Sequence, residues 1–150
     1  MSEALVAEPV LSGLEQLRAI FGSPATQPAI GRTLGFRAVE LEEGRVVFAG
    51  TPGREVYNPI GTVHGGYAAT LLDSACGCAV HSRLAPGQGF TTLELKVAYH
   101  RPMTEHTGEV FAEGKVVSIG RRAAFAEATI KDTDGRLYAS ATSSLLVISR

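Results

Sequence analysis

No run of apolar residues in this chain approaches the roughly 20 that a membrane-spanning helix needs. Its opening MSEALVAEPV carries Glu3 and Glu8 and lacks the basic-then-apolar order of a signal peptide. An excess of charge is missing too. The 14 Lys and Arg against 15 Asp and Glu leave a net charge of −1, so no global basic field gathers nucleic acid or anionic lipid. Any anionic ligand has to be met by a local patch. Cysteine is scarce, with only Cys76 and Cys78. On a helix that spacing points the two side chains about 200° apart, which excludes a local disulfide and argues against a shared metal. The pair reads as two small core residues in a reducing cytoplasm. There is no Gly-x-Ser-x-Gly elbow, no Walker-type or dinucleotide Gly-rich loop, and no His/Cys/Asp cluster at metal-ligand spacing. Internal repeats and low-complexity segments are absent. These absences point to a soluble cytoplasmic protein with no nucleic-acid or membrane partner and no metal.

What remains is an ordinary globular balance, 45% hydrophobic and 19% charged over 150 residues, enough for one domain with a real core across 1–150. SGLEQLRAIFG has capping-box spacing in Ser12 and Glu15, a stripe of Leu14, Leu17 and Phe21, and a stop at Gly22. Ser23 to Arg32 reads as a Pro-containing connector, so residues 1–31 form an N-terminal helix and linker. LGFRAVEL and RVVFAGTP flank Glu42-Glu43-Gly44 as a hairpin. The loop PGREVYNPIGTVHGG feeds a long helix that starts near Gly65 or Gly66 and is apolar nearly all round. After Pro86-Gly87-Gln88-Gly89 everything is strand signal. FTTLELKVAYHRP alternates with Leu93, Leu95, Val97 and Tyr99 on one face, and three more strands follow, broken at Gly120-Arg121-Arg122 and Thr133-Asp134-Gly135. Short turns imply antiparallel neighbours. The economical packing is α+β, a curled antiparallel sheet wrapped around one long helix.

One carboxylate, Asp73, interrupts that helix. It is either a satisfied surface acid or a nucleophile or general base tuned by partial burial. Gly65 marks the helix start, where amide N–H groups lack intrahelical partners and sit at the positive end of the dipole. The glycines either make the turn or let a developing oxyanion approach the backbone. Gly65 and Asp73 are eight residues apart, about 12 Å along one helix, whereas reacting groups lie about 3–3.5 Å apart. If both act, two antiparallel helices related by a two-fold axis must share each site, and the protein is at least a dimer. Asn58 before Pro59 suits turn chemistry. Thr91 or Thr92, opening the strand after the helix, is either a β-branched strand residue or a hydroxyl beside Asp73. His64 has no evident partner and reads as structural beside the glycines; His100 and His106 read as strand-end and loop residues. The Arg121-Arg122 turn is either solvated or a guanidinium contact for phosphates.

The order loop, His-Gly-Gly, helix with internal Asp, four strands resembles the hotdog-fold acyl-CoA thioesterases, most of all the PaaI-like group of the phenylacetate pathway. The likeness is carried by NPIGTVHGG (Asn58 to Gly66), ATLLDSA (Ala69 to Ala75), AYHRP (Ala98 to Pro102) and, more weakly, Gly120-Arg121, and covers Asn58 to about Val147. It implies a hotdog fold in which the Gly65 N–H supplies the oxyanion hole, assisted by Asn58. Asp73 stands where the PaaI-like group carries its catalytic acid, with Thr92 in support and Thr91 the alternative. His64 and Gly66 would adjoin the substrate, and Gly120, Arg121 and Arg122 would meet the phosphates of coenzyme A. The implied assembly is a homodimer or homotetramer with sites at the subunit interface. The implied reaction is hydrolysis of an aromatic or medium-chain acyl-CoA to free acid and CoA, with no cofactor because CoA belongs to the substrate. Two alternatives share the fold: an acyl-thioester hydratase or dehydratase, and a non-catalytic acyl-CoA-binding protein.

Overall fold

The computed structural model describes residues 9–149; Glu3 and Glu8 lie outside them. Helix α1 (Gly13–Phe21) carries the expected capping box, with the Glu15 N–H donating to Ser12 Oγ and Gly22 closing the helix. Leu17 is buried, and the Phe21 ring meets Phe48 edge-on at 5.5 Å, a favoured aromatic geometry.

The connector holds more structure than its prolines suggest. Residues Ala29–Leu34 form a short helix, α2. Pro28 sits at its N-cap with φ −57°, preset for helix entry, and Gly35 ends it in the left-handed conformation at φ 73°. A six-residue helix is too short to display a periodic stripe, so only its end signals were visible. The hairpin follows as β1 (Phe36–Glu42) and β2 (Arg45–Gly50), paired antiparallel.

After a single 3-10 turn at Arg54–Val56, α3 spans Gly65–His81, and then come β3 (Gln88–Tyr99), β4 (Val110–Ile119), β5 (Ala123–Asp132) and β6 (Leu137–Ser149). All six strands form one antiparallel sheet in the order β1-β2-β4-β5-β6-β3. The long β3–β4 connection carries the chain across, so β3 pairs with the last strand and lies at an edge. Helix α3 packs on β2 through β6, as the apolar circumference of the helix required. The approach is backbone to backbone at Gly114 of β4, where a Cβ would stand 2.2 Å from the Ala75 carbonyl oxygen. Only glycine fits there. No helix among the described residues is long and apolar enough to cross a membrane.

One strand face departs from simple alternation. Leu93 is 62% exposed and does not share a face with Leu95 and Val97. A bulge between Thr92 and Glu94 takes up the extra residue. Thr92, Leu95 and Val97 then pair with Leu145, Ser143 and Ala141, all inward-facing and buried. A bulge reverses side-chain parity, and here it turns Thr92 toward α3.

Candidate active site on helix α3

The loop before α3 is tied by Asn58. Its Oδ1 accepts from the N–H groups of Ile60 and Thr62, both at 3.1 Å, and its Nδ2 donates to Thr62 Oγ1 at 3.0 Å. The turn role expected of Asn before Pro is therefore filled, and the same side chain also lines the cleft described below. His64 is the N-cap of α3, its Nδ1 accepting from the Gly66 N–H at 2.7 Å. That bond fixes the neutral tautomer with its proton on Nε2, gives His64 the structural role beside the glycines, and occupies the Gly66 N–H. Among the described residues the Gly65 N–H has no protein acceptor. It is left as a donor at the positive end of the helix dipole.

This end of α3 opens into a cleft of about 570 Å³ lined by Asn58, His64, Gly65, Gly66, Tyr99 and Arg101 among others. His100 borders it and pairs its Nε2 with Ser140 Oγ at 2.7 Å. His106 lies in the turn that follows. Tyr99 was not singled out from the sequence. Its hydroxyl donates to the Gly65 carbonyl at 2.6 Å. Alternation put its ring on the inward face of β3, but nothing local indicated that the hydroxyl would reach a helix terminus 34 residues away.

Asp73 is two turns further along, and it does not line that cleft. It is half-buried and accepts from Thr92 Oγ1 at 3.0 Å. Of the two candidate threonines it is Thr92 that meets the acid, because the bulge turns it inward, while Thr91 faces out and is exposed. Asp73 shares a half-buried stripe with Thr70, Ser74 and Cys78, small side chains on the part of α3 that the sheet leaves uncovered. The neighbouring thiols of Cys76 and Cys78 are pushed up to about 12, first by burial and then by the Asp73 charge. Both stay protonated at any ordinary pH and behave as small packing residues.

The Gly120-Arg121-Arg122 turn joins β4 to β5, and all three residues are exposed. The Arg122 carbonyl accepts from the Val147 N–H, and Val147 pairs with Phe90, two residues before Thr92. The arginines thus flank the Asp73 half of the molecule, beside a groove formed with Leu146 to Ser149. Asn58, His64, Gly65 and Gly66 are together; Asp73 and Thr92 are together; within one chain the two groups stay apart. Among the described residues no three His, Cys, Asp or Glu side chains converge as metal ligands.

Comparison with known proteins bears on this arrangement. Residues 60–139, more than half of the chain, match the thioesterase superfamily model. A candidate esterase from Saccharolobus solfataricus is 30% identical over 79% of this chain and 83% of its own length. A candidate esterase from Halobacterium salinarum is 40% identical over 47% of this chain, a stretch that spans only 46% of that relative. Among solved structures, a thioesterase family protein from Silicibacter pomeroyi is 31% identical and superimposes with a TM-score of 0.78 over 89% of this chain and 98% of that one. The Escherichia coli PaaI protein of the phenylacetic acid degradation operon shares the fold at TM-score 0.79 and 20% identity, over 91% of this chain and 94% of its own. A Streptococcus mutans protein solved with acetyl-CoA bound is 26% identical, with a TM-score of 0.69 over 77% of this chain and 90% of that one.

Proposed function

The chain belongs to the thioesterase superfamily, as a hotdog-fold thioester hydrolase of PaaI-like build, and on that footing we propose that it hydrolyses an aromatic or medium-chain acyl-CoA to the free acid and CoA. The observation that carries the reading is the division of α3 into two half-sites: a free Gly65 N–H at one end, and a Thr92-bonded Asp73 carboxylate two turns on.

In this reading the thioester carbonyl lies in the Gly65 cleft with its oxygen on the Gly65 N–H, while the Asn58 loop shapes the wall. Asp73 of a second subunit approaches from the other side, on an antiparallel α3. As general base it takes a proton from water. The hydroxide adds to the carbonyl carbon, and the negative charge that forms on oxygen is held by the Gly65 N–H. Collapse breaks the C–S bond, and the proton held by Asp73 passes to the departing CoA thiolate. Direct attack by the carboxylate would give a mixed anhydride that water then opens, with the same products. Thr92 holds the carboxylate in one rotamer for either route. The arginines at 121 and 122 suit the phosphates of CoA, and a relative solved with acetyl-CoA supports that ligand class. The proposed assembly is a homodimer or dimer of dimers in the cytoplasm, with no cofactor beyond the CoA of the substrate.

Thiol release across a panel of acyl-CoAs, with Asp73→Asn alongside, tests this. Activity on one acyl class that collapses in Asp73→Asn supports it, and equal rates in parent and variant overturn it. Hydration of crotonyl-CoA without thiol release would instead identify a hydratase.

A further inference from the structure

We propose that Tyr99 is a positioning residue for the oxyanion donor, acting through the Gly65–Gly66 peptide; this rests on the thioesterase reading above. Three observations meet at that peptide. The Tyr99 hydroxyl donates to its carbonyl oxygen, Gly65 O, at 2.6 Å. Its N–H, on Gly66, donates to His64 Nδ1 at 2.7 Å. The Tyr99 ring lies so close over the Gly65 Cα that a Cβ there would stand 2.9 to 3.3 Å from Oη, Cζ and Cε1. Both polar ends of one peptide plane are therefore held, and the Tyr99 ring sits against the Gly65 Cα on the side where a Cβ would project.

The consequence concerns the next amide toward the N-terminus. The Gly65 N–H belongs to the 64–65 peptide, and its direction is set by ψ of His64 and φ of Gly65. The His64 carbonyl, at the other end of that peptide, accepts from the Tyr67 N–H at 3.0 Å, so the helix holds one side of the donor, while glycine has no Cβ to restrict its φ on the other. Tyr99 and the His64 side chain restrain that other side, one from β3 and one from the N-cap, by fixing the peptide that follows. A donor aimed at a developing oxyanion contributes through being fixed before charge appears, and loosening it costs rate in the transition state more than it costs binding of the uncharged ground-state carbonyl. Tyr99 is 57% exposed and its ring is not core, so the hydroxyl can be removed without opening a cavity.

The test is Tyr99→Phe, made in the parent and in a Gly65→Pro background that has no N–H at position 65. The expected result in the parent is a fall in kcat of about tenfold with KM within about twofold, the melting temperature unchanged, and the affinity for intact acyl-CoA, read in an Asp73→Asn background, also unchanged. In the Gly65→Pro background, whose Cβ also presses on the Tyr99 ring, the same substitution should change nothing, whereas in Gly65→Ala, which adds that Cβ but keeps the N–H, it should still lower kcat. A general structural role would lower both backgrounds alike. Equal losses in the two backgrounds, a loss confined to KM, or parent-like kcat in Tyr99→Phe each overturn the proposal. Absence of thiol release by the parent protein would overturn the thioesterase reading and this inference with it, whereas a parent rate in Tyr99→Phe removes this inference alone. If Tyr99→Phe melts early, Tyr99→His, whose ring keeps an N–H that can donate to the Gly65 carbonyl, should recover kcat relative to Tyr99→Phe, and a kcat as low as that of Tyr99→Phe overturns the proposal.

Discussion

The first turn of α3 and its third turn follow opposite plans. At the first turn, two side chains from different elements act on the backbone, His64 capping Gly66 and Tyr99 holding the Gly65 carbonyl, while Asn58 ties the loop that enters it. At the third turn, a single carboxylate meets a single hydroxyl on a half-exposed stripe of small residues. A backbone donor cannot choose a rotamer, so its direction has to be built by its neighbours. A carboxylate can swing, and it needs one partner and an open side from which substrate arrives. In the proposed reading the two groups serve different substrates' carbonyls, each completed by the opposite kind of group.

The sharpest way to break the comparison is at the acid. Asp73→Asn keeps shape and the Thr92 contact but loses the base, and thiol release should fall about 10³-fold while thermal melting moves little. The donor end comes next. Gly65→Pro deletes the N–H, and proline is welcome at the first helical position; His64 already has φ −59° and ψ 136°, the region a pre-proline residue favours. The expected loss is about 10²-fold in kcat. Gly65→Ala adds the same Cβ against Tyr99 but keeps the N–H, so the difference between the two variants isolates the donor in steady-state kinetics. A smaller effect is expected at Thr92→Val, which removes the hydroxyl that Asp73 accepts from among the described residues and should cost about tenfold. The smallest is at the thiols. Burial and the Asp73 charge hold Cys76 and Cys78 near 12, so the thiolate is a minute fraction at pH 8.5. Iodoacetamide should label neither in the folded protein and both after denaturation, as read by intact mass.

The spacing within this candidate site was legible because its signals are local, while the roles given to its residues came from the family resemblance. Orphan amides at a helix start, an acid at helical spacing, and a rise of about 1.5 Å per residue need no tertiary knowledge, and they alone set Gly65 and Asp73 about 12 Å apart on one helix. The bulge at Leu93 was not legible. It depends on the register of β3 against β6, roughly fifty positions away in the chain, and it alone decides that Thr92 rather than Thr91 reaches the acid. Helix α2 was hidden by its length, with cap signals at Pro28 and Gly35 but no room for a stripe. Tyr99 stood in a recognised stretch, AYHRP, yet its partner is a backbone carbonyl, which leaves no mark on sequence.

The central claim, that one chain's Gly65 serves the other chain's Asp73, is tested most directly by mixing two inactive variants. Gly65→Pro and Asp73→Asn subunits, co-refolded or co-expressed in equal amounts, should form half heterodimers, each with one intact and one doubly defective site. The account predicts recovery to about a quarter of the parent thiol-release rate. A mixture no more active than the sum of its two components would contradict it.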